Sequence, residues 1–143
     1  KITTVEYNIP KCENKKFNFM SYYEDFKKNK ESFDIIISYS SIEHSGLGRY
    51  GDNLDPDGDK KTMNDIYNNL DDHGYLFLGI PIGNDALVWN ANRIYGNIRL
   101  PYILEKFEII EWIGCNLEDG LKLPKGSDWK SCYQPVIILR KKF

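Results

Sequence analysis

The chain has 143 residues, 41% hydrophobic and 14% aromatic, with 19 basic and 21 acidic side chains that leave a net charge of −2. That is enough apolar material for one packed domain, which argues against disorder, and the near-neutral balance offers no basic footprint for nucleic acid. No apolar run reaches membrane-spanning length, and three scattered cysteines (Cys12, Cys115, Cys132) without a CxxC pair disfavour a disulfide framework or structural zinc. A reducing, cytoplasmic compartment is expected. A signal peptide stays open, because the sequence begins at Lys1 rather than Met.

Taken in order, residues 1–6 are rich in β-branched side chains and predict a strand, residues 16–20 a short edge strand, and Tyr22, Tyr23 and Phe26 a weak helical pattern. Residues 34–38 form a nearly continuous apolar run, the pattern of a parallel strand covered by helices on both faces. Met63, Ile66, Tyr67 and Leu70 then fall at i, i+3, i+4 and i+7, a helix that Asp57 or Asp59 would cap and residues 71–74 would end. Two more apolar runs, 75–80 and 136–139, read as buried strands, and 107–113 as another. Residues 86–104 carry a helical pattern interrupted near Gly96, while the non-helical stretch 114–133 favours a hairpin-like ending. Strands alternating with helices predict one α/β domain over 1–143, a doubly wound, mostly parallel sheet with an antiparallel last strand.

In such sheets ligands bind beyond the carboxyl ends of the strands. The first strand ends in Glu6, Tyr7 and Asn8, where an acid can accept both hydroxyls of a ribose, or can simply be an exposed carboxylate. The strand at 34–38 ends in Ser38, Tyr39, Ser40 and Ser41, small hydroxylated residues that let a ligand approach the backbone. His44 follows, a candidate general base or a packed structural histidine. The Gly- and Asp-rich loop 46–59 lacks the Gly and Glu positions of a calcium loop, but Arg49, Tyr50 and Asp52 are candidates for lining a substrate site beneath a lid. After the strand at 75–80 come Asp85, Trp89, Asn90, Arg93 and Arg99. The arginines suit a carboxylate or phosphate, and Trp89 and Tyr95 a ring or sugar, unless they are the wet face of an amphipathic helix.

Glu6 at a strand end, the 34–38 strand running into Ile42-Glu43-His44, and the helix followed by Asp72-His-Gly-Tyr-Leu-Phe-Leu together resemble a class I S-adenosylmethionine-dependent methyltransferase read from its second strand. More specifically, the strings at 40–52, 55–59 and 87–96 resemble domain-of-unknown-function family 268, a methyltransferase-like family. The resemblance implies a Rossmann-like sheet and S-adenosylmethionine as cofactor. Glu6, Tyr7, Asn8 and Ser38 to Ser41 would hold that cofactor, and His44 would take the acceptor's proton. Arg49, Tyr50, Asp52, Asp85, Trp89, Asn90, Arg93 and Arg99 would shape a pocket for a small polar or glycan-like acceptor. Ser40 stands where metal-using relatives carry a Glu, so no metal site is expected. The family's first strand and its glycine-rich turn have no counterpart here. Their place would be between the strands at 1–6 and 34–38, so a longer parent protein is expected. A non-catalytic binding module of the same fold is the alternative.

Overall fold

β3 (Phe33–Tyr39) and β4 (Leu70–Gly79) pair in parallel, with Ile36 opposite Leu76 and Ser38 opposite Leu78. The computed structural model describes residues 2–9, 11 and 17–143. α1 (Gly58–Asn69) joins the two strands and buries Met63 and Ile66 in the same core as Leu76 and Leu78, as its apolar stripe predicts. β10 (Val136–Lys141) lies antiparallel to β4 on one side and to β8 (Phe107–Ile113) on the other, giving the order β3-β4-β10-β8. The hairpin-like ending is thus present as the β8–β10 pair. β1 (Ile2–Glu6) and β2 (Phe17–Ser21) form a separate parallel pair. The fold is mixed α/β, with small parallel and antiparallel sheets rather than one mostly parallel sheet. The expected strand starts at Lys1 and Lys16, and Cys12, lie outside the described residues.

The two faces of the four-stranded sheet differ sharply. Cross-strand partners share a face, so Leu76, Leu78, Ile137 and Leu139 point together into the core, each fully buried. On the reverse face Ile35 pairs with Tyr75 and Ile37 with Phe77, and Ile35, Ile37, Tyr39, Tyr75 and Ile113 are all exposed, Ile37 by 74%. The strand sequences are apolar on both faces, but only one face is covered.

Four expectations for local structure change. Residues 86–104 are not one interrupted helix: β6 (Ala86–Val88) and β7 (Asn92–Ile94) form a hairpin whose turn holds Asn90 at φ +51°, and only α2 (Arg99–Ile103) is helical. Tertiary hydrogen bonding overrides the helical spacing, because Tyr95 donates its N–H to Pro81 and accepts from Gly83, which needs extended backbone. Residues 22–25 make only turns and lead into a 3-10 turn over Phe26–Lys28. Residues 71–74 do not break the chain but are the extended start of β4. The connection 114–133 also holds α3 (Leu117–Leu121), closed at its start by a reciprocal Asn116–Asp119 capping box, and β9 (Cys132–Tyr133), which pairs with β5 (Ile82–Gly83).

Candidate functional site

β1 and β3 end on the same side, since the Tyr7 hydroxyl just past β1 lies 3.3 Å from Ser45 Oγ at the end of the 3-10 turn that follows β3. Between the two strands runs a groove of about 780 Å³, within the usual range of ligand clefts. At its carboxyl end the groove collects Glu6 and Tyr7 from one strand and Ser38, Tyr39, Ser40 and Ser41 from the other. These are the residues read as a cofactor site, and the structure brings them together. Asn8, of the same group, is exposed and outside the groove wall. The carboxylate of Glu6 makes no hydrogen bond or ion pair with another described residue, so it is open to an incoming donor. Burial raises the Tyr7 phenol above its ordinary value, more than the Ser45 hydrogen bond lowers it, so it stays protonated and can donate. Ser40 sits at φ +50°, an uncommon conformation for a residue with a side chain, and turns the chain sharply as β3 ends.

His44 lies elsewhere. Its Nδ1 faces the carbonyl of Ala91, its Nε2 is 3.7 Å from Glu43 Oε1, and its ring packs edge-on against Tyr50. It lines neither this groove nor the second one, so both ring nitrogens serve the protein's own loops. Glu43 is more unusual. It is 1% exposed, and its Oε2 has no hydrogen-bond partner among the described residues. Burial raises its carboxyl above the ordinary range, against lowering contributions from backbone N–H groups, His44 and Ser40.

The polar residues read as acceptor contacts are mostly engaged with the chain itself. Arg93, 5% exposed, donates to the carbonyls of Ser45 at 2.6 Å and Pro56 at 3.3 Å and lies 3.5 Å from Asp59 Oδ2. Arg99 holds both oxygens of Asp59 and the Pro56 carbonyl. Asp59 itself is fully buried and also accepts from the Tyr95 hydroxyl at 3.1 Å. Desolvation, then the Asp59 charge, push the Tyr95 phenol far up, so it remains a donor. Asp85 accepts from the N–H groups of Gly96, Ile98 and Arg99, satisfying the start of α2. Asp52 ties down the loop through Gly46 N at 2.6 Å and Tyr50 N at 3.3 Å, and Asp55 N bonds Gly46 O. The loop 46–59 is therefore stapled in place rather than built as a lid. Arg49 and Tyr50 are exposed on its surface and stack on each other. Asn90 serves the hairpin turn.

A second, more apolar groove of about 500 Å³ lies beside this network, walled by Leu54, Leu87, Trp89 and Ile98. Of the expected acceptor residues, Trp89 alone presents a largely free side chain there, at 71% exposure. Glu43 and Asp59 are buried polar residues that sequence reasoning left out of the site, and Tyr95, read as a surface to stack on a ring or sugar, is buried against Asp59 instead. Asp59 looked like one of several turn aspartates, and nothing in the spacing distinguishes it from Asp55 or Asp57. Among the described residues no helix is long and apolar enough to cross a membrane.

Fold and groove together define a mixed α/β protein with a ligand-sized crevice at the ends of two strands. Residues 1–141 match the family described as Caenorhabditis protein of unknown function, DUF268, and the chain belongs to that family. No curated protein matches it.

Proposed function

We propose that this protein transfers a methyl group from S-adenosylmethionine to a small acceptor. The observation that carries the reading is the convergence of Glu6, Tyr7 and Ser38 to Ser41 on one groove at the carboxyl ends of β1 and β3. That is the place where open α/β sheets hold nucleotides. The fold reading that goes with it takes β2-β1 and β3-β4-β10-β8 as parts of one doubly wound, Rossmann-like sheet, with antiparallel β10 as the late strand inserted beside β4. The residues present fit the adenosine half of the cofactor. Glu6 lines the groove with a carboxylate that could accept two ribose hydroxyls, and Ser38, Ser40 and Ser41 put small side chains and hydroxyls along the opposite wall.

When bound, the cofactor would supply an electrophilic methyl group. The chain's own residues would do the rest, by holding the donor in one orientation and excluding water, so that the acceptor meets it in line. Trp89 offers the acceptor a flat aromatic surface, suited to the apolar face of a sugar-like ring. A second reading, a binding module without catalysis, is favoured by one observation: His44 directs both nitrogens at protein atoms, so the groove has no histidine base.

The test is calorimetric titration of the whole protein with S-adenosylhomocysteine, beside Glu6→Ala. Saturable binding that weakens about tenfold or more in the variant is expected, the loss of charge-assisted hydrogen bonds. A folded protein that binds nothing would overturn the cofactor reading. Binding without methyl transfer to any of a panel of sugars and small alcohols would leave the module in front.

A further inference from the structure

The second groove has walls from three separate elements: Leu54 in the loop 46–59, Leu87 and Trp89 on the β6–β7 hairpin, and Ile98 just before α2. All four side chains are between 58% and 79% exposed, yet they converge on one space of about 500 Å³. Apolar side chains exposed singly are ordinary, but a set gathered around one groove marks a place of interaction. The walls are also set before anything arrives. Ala91 donates its N–H to Val88 across the hairpin turn, Tyr95 donates its N–H to Pro81 behind it, and Asp52 and Asp55 tie down the loop. Asp85 accepts from Ile98 N at 2.9 Å. Walls held in this way are preorganised, so little ordering entropy is lost when a ligand enters.

We infer that this groove is a binding site for a small, uncharged molecule with an aromatic ring. The charge pattern fixes the chemistry. Among the described residues Asp55, Asp85, Arg93 and Arg99 border the groove, and each is already engaged within the chain. Arg93 and Arg99 share Asp59, Asp85 satisfies the N–H groups of Gly96, Ile98 and Arg99, and Asp55 takes Lys61 and the N–H of Asp57. A charged ligand would have to break one of these pairs. The hydroxyls of a sugar would face Leu54, Leu87 and Ile98 and lose their hydration without gaining partners. A flat aromatic ring laid on Trp89 loses nothing of the kind, and gains stacking as well as burial. Size favours a small molecule over a protein. About 500 Å³ lies inside the range of ligand clefts, whereas a stable protein interface takes about 20–30 residues a side. Ser45 lines the first groove and Gly46 and Leu47 the second, so the two sites are neighbours along one short piece of chain. Where the methyl-transfer reading holds, the ring belongs to the acceptor; binding of the ring does not itself depend on that reading.

Calorimetric titration of the whole protein with 1-naphthol, without any cofactor, is the test. Saturable binding at one site per chain is expected, with a negative heat-capacity change, and methyl β-D-glucopyranoside should bind about tenfold more weakly or not at all. Trp89→Ala should weaken 1-naphthol about tenfold, and Trp89→Phe should recover most of that loss. Both should keep the wild-type Tm within about 2 °C, because the side chain is exposed. Leu54→Asp puts a charge on the opposite wall, away from the hairpin, and should weaken 1-naphthol as much. Absence of saturable 1-naphthol binding overturns the inference, as does binding that Trp89→Ala and Leu54→Asp leave unchanged. A wild-type dimer that either variant dissociates in analytical ultracentrifugation also overturns it, since a second copy would then cover the groove. S-adenosylhomocysteine titrated in parallel separates the two readings. If 1-naphthol alone binds, the aromatic site stands and the cofactor reading falls; if S-adenosylhomocysteine alone binds, the reverse holds.

Discussion

Two polar clusters flank the end of β3, and they have opposite fates. At Glu6 and Ser38 to Ser41 the polar groups line an open groove, with the Glu6 carboxylate unengaged among the described residues. At Asp59, Arg93, Tyr95 and Arg99 the chain supplies its own counter-charges, and the groups are buried against one another. Both look alike in the sequence, as charged and hydroxylated residues after strands. What separates them is whether a partner lies within the chain, and a distant pairing such as Asp59 with Arg99 leaves no local spacing to read. A paired, buried charge serves structure, and an unpaired one at a crevice is free to serve binding.

The comparison is broken most forcefully at its buried side. Asp59→Ala strands Arg93 and Arg99 without their common anion and should cost about 3–5 kcal/mol in urea unfolding. Gly58→Ala is next. Alanine normally favours a helix over glycine, but a Cβ here would lie 2.7 Å from Cα and N of Gly46, so a loss of about 1–3 kcal/mol is expected instead. A gain in Tm would show that the 46–58 contact yields easily.

Glu43→Gln tests a buried acid whose Oε2 has no hydrogen-bond partner among the described residues, and its sign is opposite. The folded carboxyl is raised above its ordinary value of 4.5, so the folded state holds a proton that the unfolded state releases. Below pH 4.5 both states are protonated and burial of the charge costs nothing. As pH rises above that, the wild type loses stability relative to the variant. Glu43→Gln should therefore unfold about 1 kcal/mol later at pH 7, with the difference fading in acid. A variant less stable at pH 7 would mean that the carboxylate is anchored there. The smallest stability effect belongs to Glu6→Ala, within about 0.5 kcal/mol by chemical denaturation. A large loss would place Glu6 with the structural cluster and remove it from the groove's chemistry.

The sequence was most legible where a pattern answers to local burial. The stripe Met63, Ile66, Tyr67, Leu70 is α1, and the apolar runs are β3, β4 and β10. The convergence of the two strand ends also followed from strand order. Residues 86–104 misled because the backbone of Tyr95 is claimed by Pro81 and Gly83, a long-range demand that helical spacing cannot reveal. His44 stayed open between a base and a packed histidine for a similar reason: its partner Ala91 lies in a hairpin that the sequence did not show.

The place of β10 bears on how the molecule assembles. Among the described residues β8 has no strand neighbour except β10, and β10 meets β4 through residues some sixty positions away in the chain, Val136 opposite Gly79. β8 can therefore join the sheet only after the segment beyond Val136 has found β4. Long loops must close before the sheet repays them, which gives a slow search and a late, cooperative step. Until that step β4 presents an open hydrophobic edge, so the half-assembled protein is the species most exposed to aggregation.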